Sequence, residues 1–245
     1  MDDINSVITQ NQDITFEEAV QYFGDKIPVT AKTFAALENE YQTLAFTVSG
    51  YTKFEILNKF HDELLQSIEN GETLKSFKDR MNTFLEDKGY EGITNFQADN
   101  IFRTNVQTAY QVGHYREMTD PDVLKALPYW QYDAVNDSRT RPSHLAMDGR
   151  VFPADSPVWD TWYPPNGYRC RCTVHALSKR QVESRGLTVE QNAPLVAELP
   201  DGRFTHVHPD PHFASNPAKT PFSPDLTGYP DSLVRAYQNQ TQGNG

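Results

Sequence analysis

Only two cysteines occur among the 245 residues, Cys170 and Cys172, one residue apart. A bridge between them would close too small a ring for relaxed disulfide geometry, and there is no third cysteine to pair with. That excludes a disulfide scaffold and leaves reduced thiols, or thiolates on a metal. Long apolar runs are missing too: no stretch approaches the ~20 residues that cross a bilayer as a helix. The opening Met1-Asp2-Asp3-Ile4-Asn5 lacks the basic and apolar character of a secretory signal, so folding in a cytoplasm is expected. Basic charge is scarce as well. The chain has 22 Lys and Arg against 33 Asp and Glu, a net charge of -11, which argues against nucleic acid as the partner of the whole molecule.

What is present is a helical first half. Glu17 and Glu18 after Thr15 suit a capped first turn, and a short helix should end at Gly24. Phe34, Leu37, Tyr41, Leu44, Ala45 and Val48 recur three or four apart, predicting a helix from Val29 to Gly50. Further stripes run from Phe54 to Ile68, from Leu74 to Leu85 before Gly89, and over residues 95–118. These faces are read as packing core. Residues 1–13 are polar and expected to be loosely ordered.

The texture changes at Pro128. Tyr129 to Val135 alternates like a half-buried strand. His144 to Met147 reads as one helical turn stopped at Asp148-Gly149, Arg150 to Phe152 as a short strand, and Pro153 to Gly167 as a loop rich in proline and tryptophan. Cys170 to Leu177 alternates again, and Ser178 opens a short helix. After Gly186 the regular signals thin out into a proline-rich tail. The expected class is α+β: a mainly helical N-terminal region (1–94) packed on a small α+β unit (95–186) with short strands and a Cys-x-Cys/His site, then an irregular C-terminal tail (187–245).

Chemistry concentrates between Trp130 and Leu177. Zinc takes thiolates and imidazoles in tetrahedral geometry, and two cysteines two apart on a strand point to one face. His144 is the best third ligand. For the fourth, His175 and Asp137 rank together, with Asp148 behind; His175 would lie on the opposite strand face. The plain alternative is two small buried thiols in a tight core. A thiol–imidazole–carboxylate set from Cys170 or Cys172, His144 and Asp137 is the catalytic reading, and local caps and ion pairs at Asp137 and Arg139 are its ordinary counterpart. Between Arg139 and Arg185 eight Lys and Arg face four acids, so the Arg139/Arg141 pair also suits a phosphate or a solvated basic face. Arg103, one turn from Gln107, is a buried polar link or a surface arginine. His206, His208 and His212 sit in a proline-broken loop and read as packing or solvent-exposed residues.

Four separated blocks carry a resemblance: Ile101-Phe102-Arg103-Thr104-Asn105; Tyr129-Trp130-Gln131-Tyr132; Asp137 to His144 with Asp148 to Phe152; and Tyr163 to Cys172. In order and spacing they resemble the Mu F-like minor head proteins, or head morphogenesis proteins, of tailed phages and prophages. Phe16-Glu17-Glu18-Ala19, Ala45-Phe46-Thr47-Val48, Asp210-Pro211-His212-Phe213 and Asn216-Pro217 extend it. The resemblance implies a non-enzymatic minor capsid protein of the virion head, assembled in the host cytoplasm. Its implied partners are the portal protein and other head or scaffold proteins, with contact to packaged DNA possible and no membrane. It singles out Arg103, Asp137, Arg139, Thr140, His144, Gly149, Cys170, Arg171 and Cys172, and it favours Asp137 or Asp148 over His175 as a ligand. The competing class is a metal-dependent or thiol hydrolase, nuclease-like, using His144, Cys170 and Cys172.

Overall fold

A computed structural model describes residues 17–37, 42, 45–219 and 235. The N-cap at Thr15, the expected helix positions Tyr41 and Leu44, residues 1–13 and, Arg235 apart, the closing segment beyond Lys219 lie outside the described residues. The described chain forms two compact units, one ending at Gly113 and the other beginning at His114. The class is α+β, as the sequence implies.

The first unit is built on helices. After α1 (Glu17–Gly24), strand β1 (Ile27–Pro28), α2 (Ala31–Ala36) and strand β2 (Ala45–Phe46) come α3 (Phe54–Glu69), α4 (Leu74–Asp87) and α5 (Asn95–Met118). The stripes read from sequence are the buried ones: Ile56, Leu57, Phe60 and Leu64 on α3, and Phe77, Met81 and Leu85 on α4. Phe60 and Phe77 meet with ring centroids 6.4 Å apart. Thr73 caps α4 by accepting from the Ser76 N–H, and Gly89, at φ 75, takes the left-handed position that ends it.

The single helix expected from Val29 to Gly50 is interrupted. Ala31–Ala36 is α-helical, with Thr30 as its cap, and Leu37 turns to extended backbone at ψ 144. Residues at both ends of that stretch belong to a parallel strand pair, Ile27 opposite Ala45 and Pro28 opposite Phe46, and the Val29 N–H donates to the Phe46 carbonyl at 2.8 Å. Ile27 and Val29 are buried on either side of Pro28, and Phe46 and Val48 on either side of Thr47. A period of two at the ends was misread as a period of 3.6.

The second unit centres on a three-stranded antiparallel sheet, order β4-β3-β5, from β3 (Tyr129–Asp133), β4 (Val151–Pro153) and β5 (Thr173–Leu177). Short helices α6 (Pro121–Ala126), α7 (Pro142–Leu145), α8 (Val158–Trp162) and α9 (Lys179–Ser184) surround it in sequence. Ser178 and Gln181 close a capping box at α9. Trp130, Tyr132, Phe152, Trp159 and Tyr163 are fully buried, and Trp130 meets Trp159 at 5.5 Å. Each such ring stabilises the fold by on the order of 4 kcal/mol through the area it removes from water.

Three local expectations are corrected. Strand β5 begins at Thr173, so Cys170 and Cys172 precede it in irregular backbone. The proline- and tryptophan-rich loop contains α8, whose Val158, Trp159 and Trp162 turn inward. Among the described residues after Gly186, β6 (Val196–Glu198) pairs with β7 (Phe204–His206) in a hairpin, and Ala197, Leu199 and Val207 join the aromatic core.

A buried carboxylate gives the first unit a measurable weak point. Glu63, 4% exposed, is held by Lys59 at 2.6 Å and by Arg80, which also pairs with Glu72. Replacing Arg80 with Met leaves much of that charge uncompensated and should lower the unfolding free energy by about 1–3 kcal/mol. The Arg80→Met/Glu63→Gln double variant should lose less in urea titrations than the two single variants summed; strictly additive losses would show that the pair is not coupled.

Candidate metal centre

Two short segments make the site. The first runs from Asp137 to α7. The Asp137 carboxylate accepts the Arg139 backbone N–H at 2.9 Å, the Thr140 hydroxyl donates to the Val135 carbonyl, and Pro142 opens α7 with His144 buried on it. Gly149, at φ 73, turns the chain into β4, with its N–H on the Tyr132 carbonyl at 2.9 Å. The second segment, Asn166 to Cys172, brings the cysteines up to β5. Asp137 ties the two together, accepting from both Arg171 nitrogens at 2.6 and 2.8 Å.

Between these segments His144, Cys170 and Cys172, all buried, bring their ligand atoms within 4.8 Å of one another. The imidazole Nδ1 lies 3.5 Å from the Cys172 sulfur and 3.8 Å from the Cys170 sulfur. Cys172, whose thiol donates to Cys170, holds the Cys170 thiol down to about 4 against its burial, with help from His144 and the Asn166 backbone N–H. Facing that anion, and itself buried, Cys172 is pushed up. Tyr132 lies against Cys172 and donates its hydroxyl to Asn166 Oδ1 at 2.9 Å. A recess of about 20 Å³ adjoins the three side chains, room for one water-sized particle.

The donor set fits zinc. Two sulfurs and an imidazole nitrogen are its preferred ligands, and bond lengths near 2.3 and 2.05 Å imply a tetrahedral sulfur–nitrogen edge of about 3.6 Å. The observed 3.5 and 3.8 Å bracket that edge. His144 Nε2 is buried without a hydrogen-bond partner among the described residues.

The other residues read from sequence sit elsewhere. Asp137 is engaged with Arg171, Arg139 and Thr140 rather than with His144, so the thiol–imidazole–carboxylate set is not assembled. Asp148 accepts from the Ala134 N–H and from Asn136, each at 2.8 Å, and His175 pairs with Asp133 at 3.0 Å on an exposed edge. Arg103 pairs with Asp99 one turn earlier on α5. His206 lies exposed on β7, while His208 Nδ1 donates to the Pro209 carbonyl at 2.9 Å. Sequence reasoning missed the role of Asn166. Its fully buried side chain joins Tyr132 to the Thr161 carbonyl, and its backbone serves Cys170. The Asn166-Gly167 dipeptide is a turn signal that could have marked the place, though not that function.

The molecule is thus an α+β protein with a buried two-thiol, one-imidazole group between crossing loops. Residues 58–175 match the family model described as Phage Mu protein F like protein, and through this segment the chain belongs to that family. It is 37% identical to the Mu-like prophage FluMu F protein of Haemophilus influenzae over 67% of this chain and 42% of that protein. It is 34% identical to the putative capsid assembly protein F of Escherichia phage Mu over 74% of this chain and 44% of that protein. The matches therefore span less than half the length of these relatives. No solved structure matches.

The Arg171 guanidinium, aided by the Arg139 N–H, holds the Asp137 carboxyl well below the usual carboxylate range. A carboxyl lowered on folding stabilises above its unfolded value, near 3.9, and loses that contribution as pH falls toward the folded value. Asp137→Asn should therefore melt below wild type at neutral pH, and the gap should close on acidification below about pH 4. A gap that stays constant with pH would assign the effect to something other than this charge.

Proposed function

We propose that this protein is a structural component in the assembly of a tailed-phage head, acting through protein contacts and held together locally by one zinc ion. The support for head assembly is the alignment, over 74% of the chain, with a protein named putative capsid assembly protein F. Contact with the portal and other head or scaffold proteins, a place in the virion, and a part in genome packaging or ejection are the finer elements of this reading.

The observation that carries the metal is the convergence of Cys170, Cys172 and His144 from backbone with no regular structure at the sulfurs. These three side chains would hold the ion. Bound zinc would supply a cross-link between the two loops and folding free energy rather than turnover. The chain's own contribution is to keep the donors dry, with Tyr132 and Asn166 fixing the cysteine loop and Arg171 clamping it to Asp137.

The purified protein should contain about one zinc per chain by elemental mass spectrometry, and chelation should lower its melting temperature. The Cys170→Ser/Cys172→Ser variant should lose the metal, and in a Mu-like prophage lacking its F protein it should fail to restore heads that the wild-type chain restores. Normal head yield without any F protein would sink the assembly role. Metal-free protein with unchanged stability would sink the zinc alone.

A further inference from the structure

An open cleft of about 720 Å³ lies between the segments flanking α7 and the β6–β7 hairpin, with Leu145, Ala146, Leu199 and Pro200 as its apolar wall. Four charged groups reach it. Two are matched from outside: Asp137 by Arg171, and Arg150 by Glu190, whose carboxylate accepts from its Nη1 at 2.7 Å. The other two are Asp148 and Glu198. Asp148 accepts from neutral donors, the Ala134 N–H and Asn136, and exposed Glu198 meets no cation among the described residues. The cleft therefore holds two uncompensated negative charges beside apolar surface. Glu198 also joins it to a second feature. In the hairpin register Glu198 stands opposite Phe204, and Val196 opposite His206, so these four side chains share the outward face. Phe204 is 71% exposed and its diagonal neighbour Val196 is 49% exposed, while Leu195, just before β6, is 84% exposed. Large apolar side chains grouped in water in this way mark a contact surface.

Charge and apolar surface together narrow the occupant. A nucleic-acid backbone is repelled by Asp148 and Glu198. A small cation would answer the carboxylates but leave Val196 and Phe204 in water. A second copy of this chain brings a net charge of -11 of its own, so like charges oppose that pairing. A protein segment with a lysine or arginine between apolar residues meets both demands. Its apolar side chains cover Val196 and Phe204, its basic head reaches Glu198 and Asp148, and the stem of that side chain lies along Leu199 and Pro200. The volume of the cleft suits a few such side chains. We propose that the cleft and the outward face of the hairpin are a docking site for a basic, apolar-flanked segment of another protein. The class of partner rests on the reading that this protein acts through protein contacts; its chemistry comes from the cleft.

The test pans a library of short, capped random peptides on the full chain. It should enrich peptides that carry Lys or Arg next to Leu, Ile, Val or aromatic residues. By fluorescence anisotropy an enriched peptide should bind the wild-type chain saturably, and Glu198→Lys should weaken it about tenfold or more. Phe204→Ser should weaken it to a similar degree, about tenfold. Lys179→Ala, on α9 outside the cleft, should leave binding unchanged. Glu198 and Phe204 are both exposed, so melting curves should show every variant folded. Enrichment of acidic peptides, or no enrichment beyond that on the Glu198→Lys/Phe204→Ser double variant, would overturn the proposal. So would displacement by spermidine as effective as by the unlabelled peptide, because the site would then serve a small cation. Self-association of the chain that Phe204→Ser abolishes would overturn it in favour of a second copy. Panning needs no phage heads, so its failure is distinct from a failure to restore them.

Discussion

Burying two thiols and an imidazole in one place forces each to find its partner there. Cys170, Cys172 and His144 have almost no access to water, and unpaired polar groups in such surroundings destabilise by 1–3 kcal/mol each. The arrangement meets most of this demand internally, with Nδ1 facing both sulfurs and the Asn166 N–H on Cys170, and leaves His144 Nε2 without a partner among the described residues. Because the imidazole comes from α7 and the sulfurs from the approach to β5, satisfying them fixes the path of both loops. The Asp137–Arg171 pair, the Thr140–Val135 bond and the Tyr132–Asn166 bond then support positions already set by the buried group. Such supporting contacts orient first ligands as much as they stabilise the fold.

The aromatic core explains why such a group is useful in this unit. A three-stranded sheet with strands of three to five residues offers little hydrogen-bonded ladder and one narrow face to cover. Trp130, Trp159, Tyr132 and Tyr163 supply large apolar area there, yet they pack against loops as much as against regular elements. Loops carry more conformational entropy to be lost on folding than a sheet of the same size can offset. A cross-link among the loops acts on the part of the fold that hydrophobic burial serves least.

Much of this was legible in the sequence where one periodicity ruled. The helices α3, α4 and α5, the alternation of β3, the stop at Gly149 and the helix opened at Ser178 each have a local cause and appear where that cause predicts, although Phe54 and Phe96 of the apolar stripes are exposed. Between Val29 and Gly50 two periods overlapped, and the parallel pairing of Ile27 with Ala45 is decided by partners distant in the chain. The same holds for β6 and β7, whose inward residues Ala197 and Thr205 are small or polar and give no strand signal of their own. At the site, Cys170, Cys172 and His144 were found because their chemistry is rare in the sequence. Asp137 reads from sequence as a fourth ligand, as the carboxylate of a thiol–imidazole set, or as a local cap paired with Arg139; the local contact is present, but its strongest partner, Arg171, lies 34 residues on.

The placement of charge follows from the same geometry. Arg171 must clamp the cysteine loop to Asp137, and Arg141 must reach both Asp210 and the Tyr168 carbonyl. Both arginines thus have structural duties that fix their heads close to the sulfurs. Thiolates are stabilised by nearby cations, and removing protons from Cys170 and Cys172 on metal binding would place two negative charges beneath those guanidiniums. Arg139 is held more loosely: its head is largely in water and, among the described residues, meets Asp137 at 3.3 Å, whose oxygens Arg171 also engages.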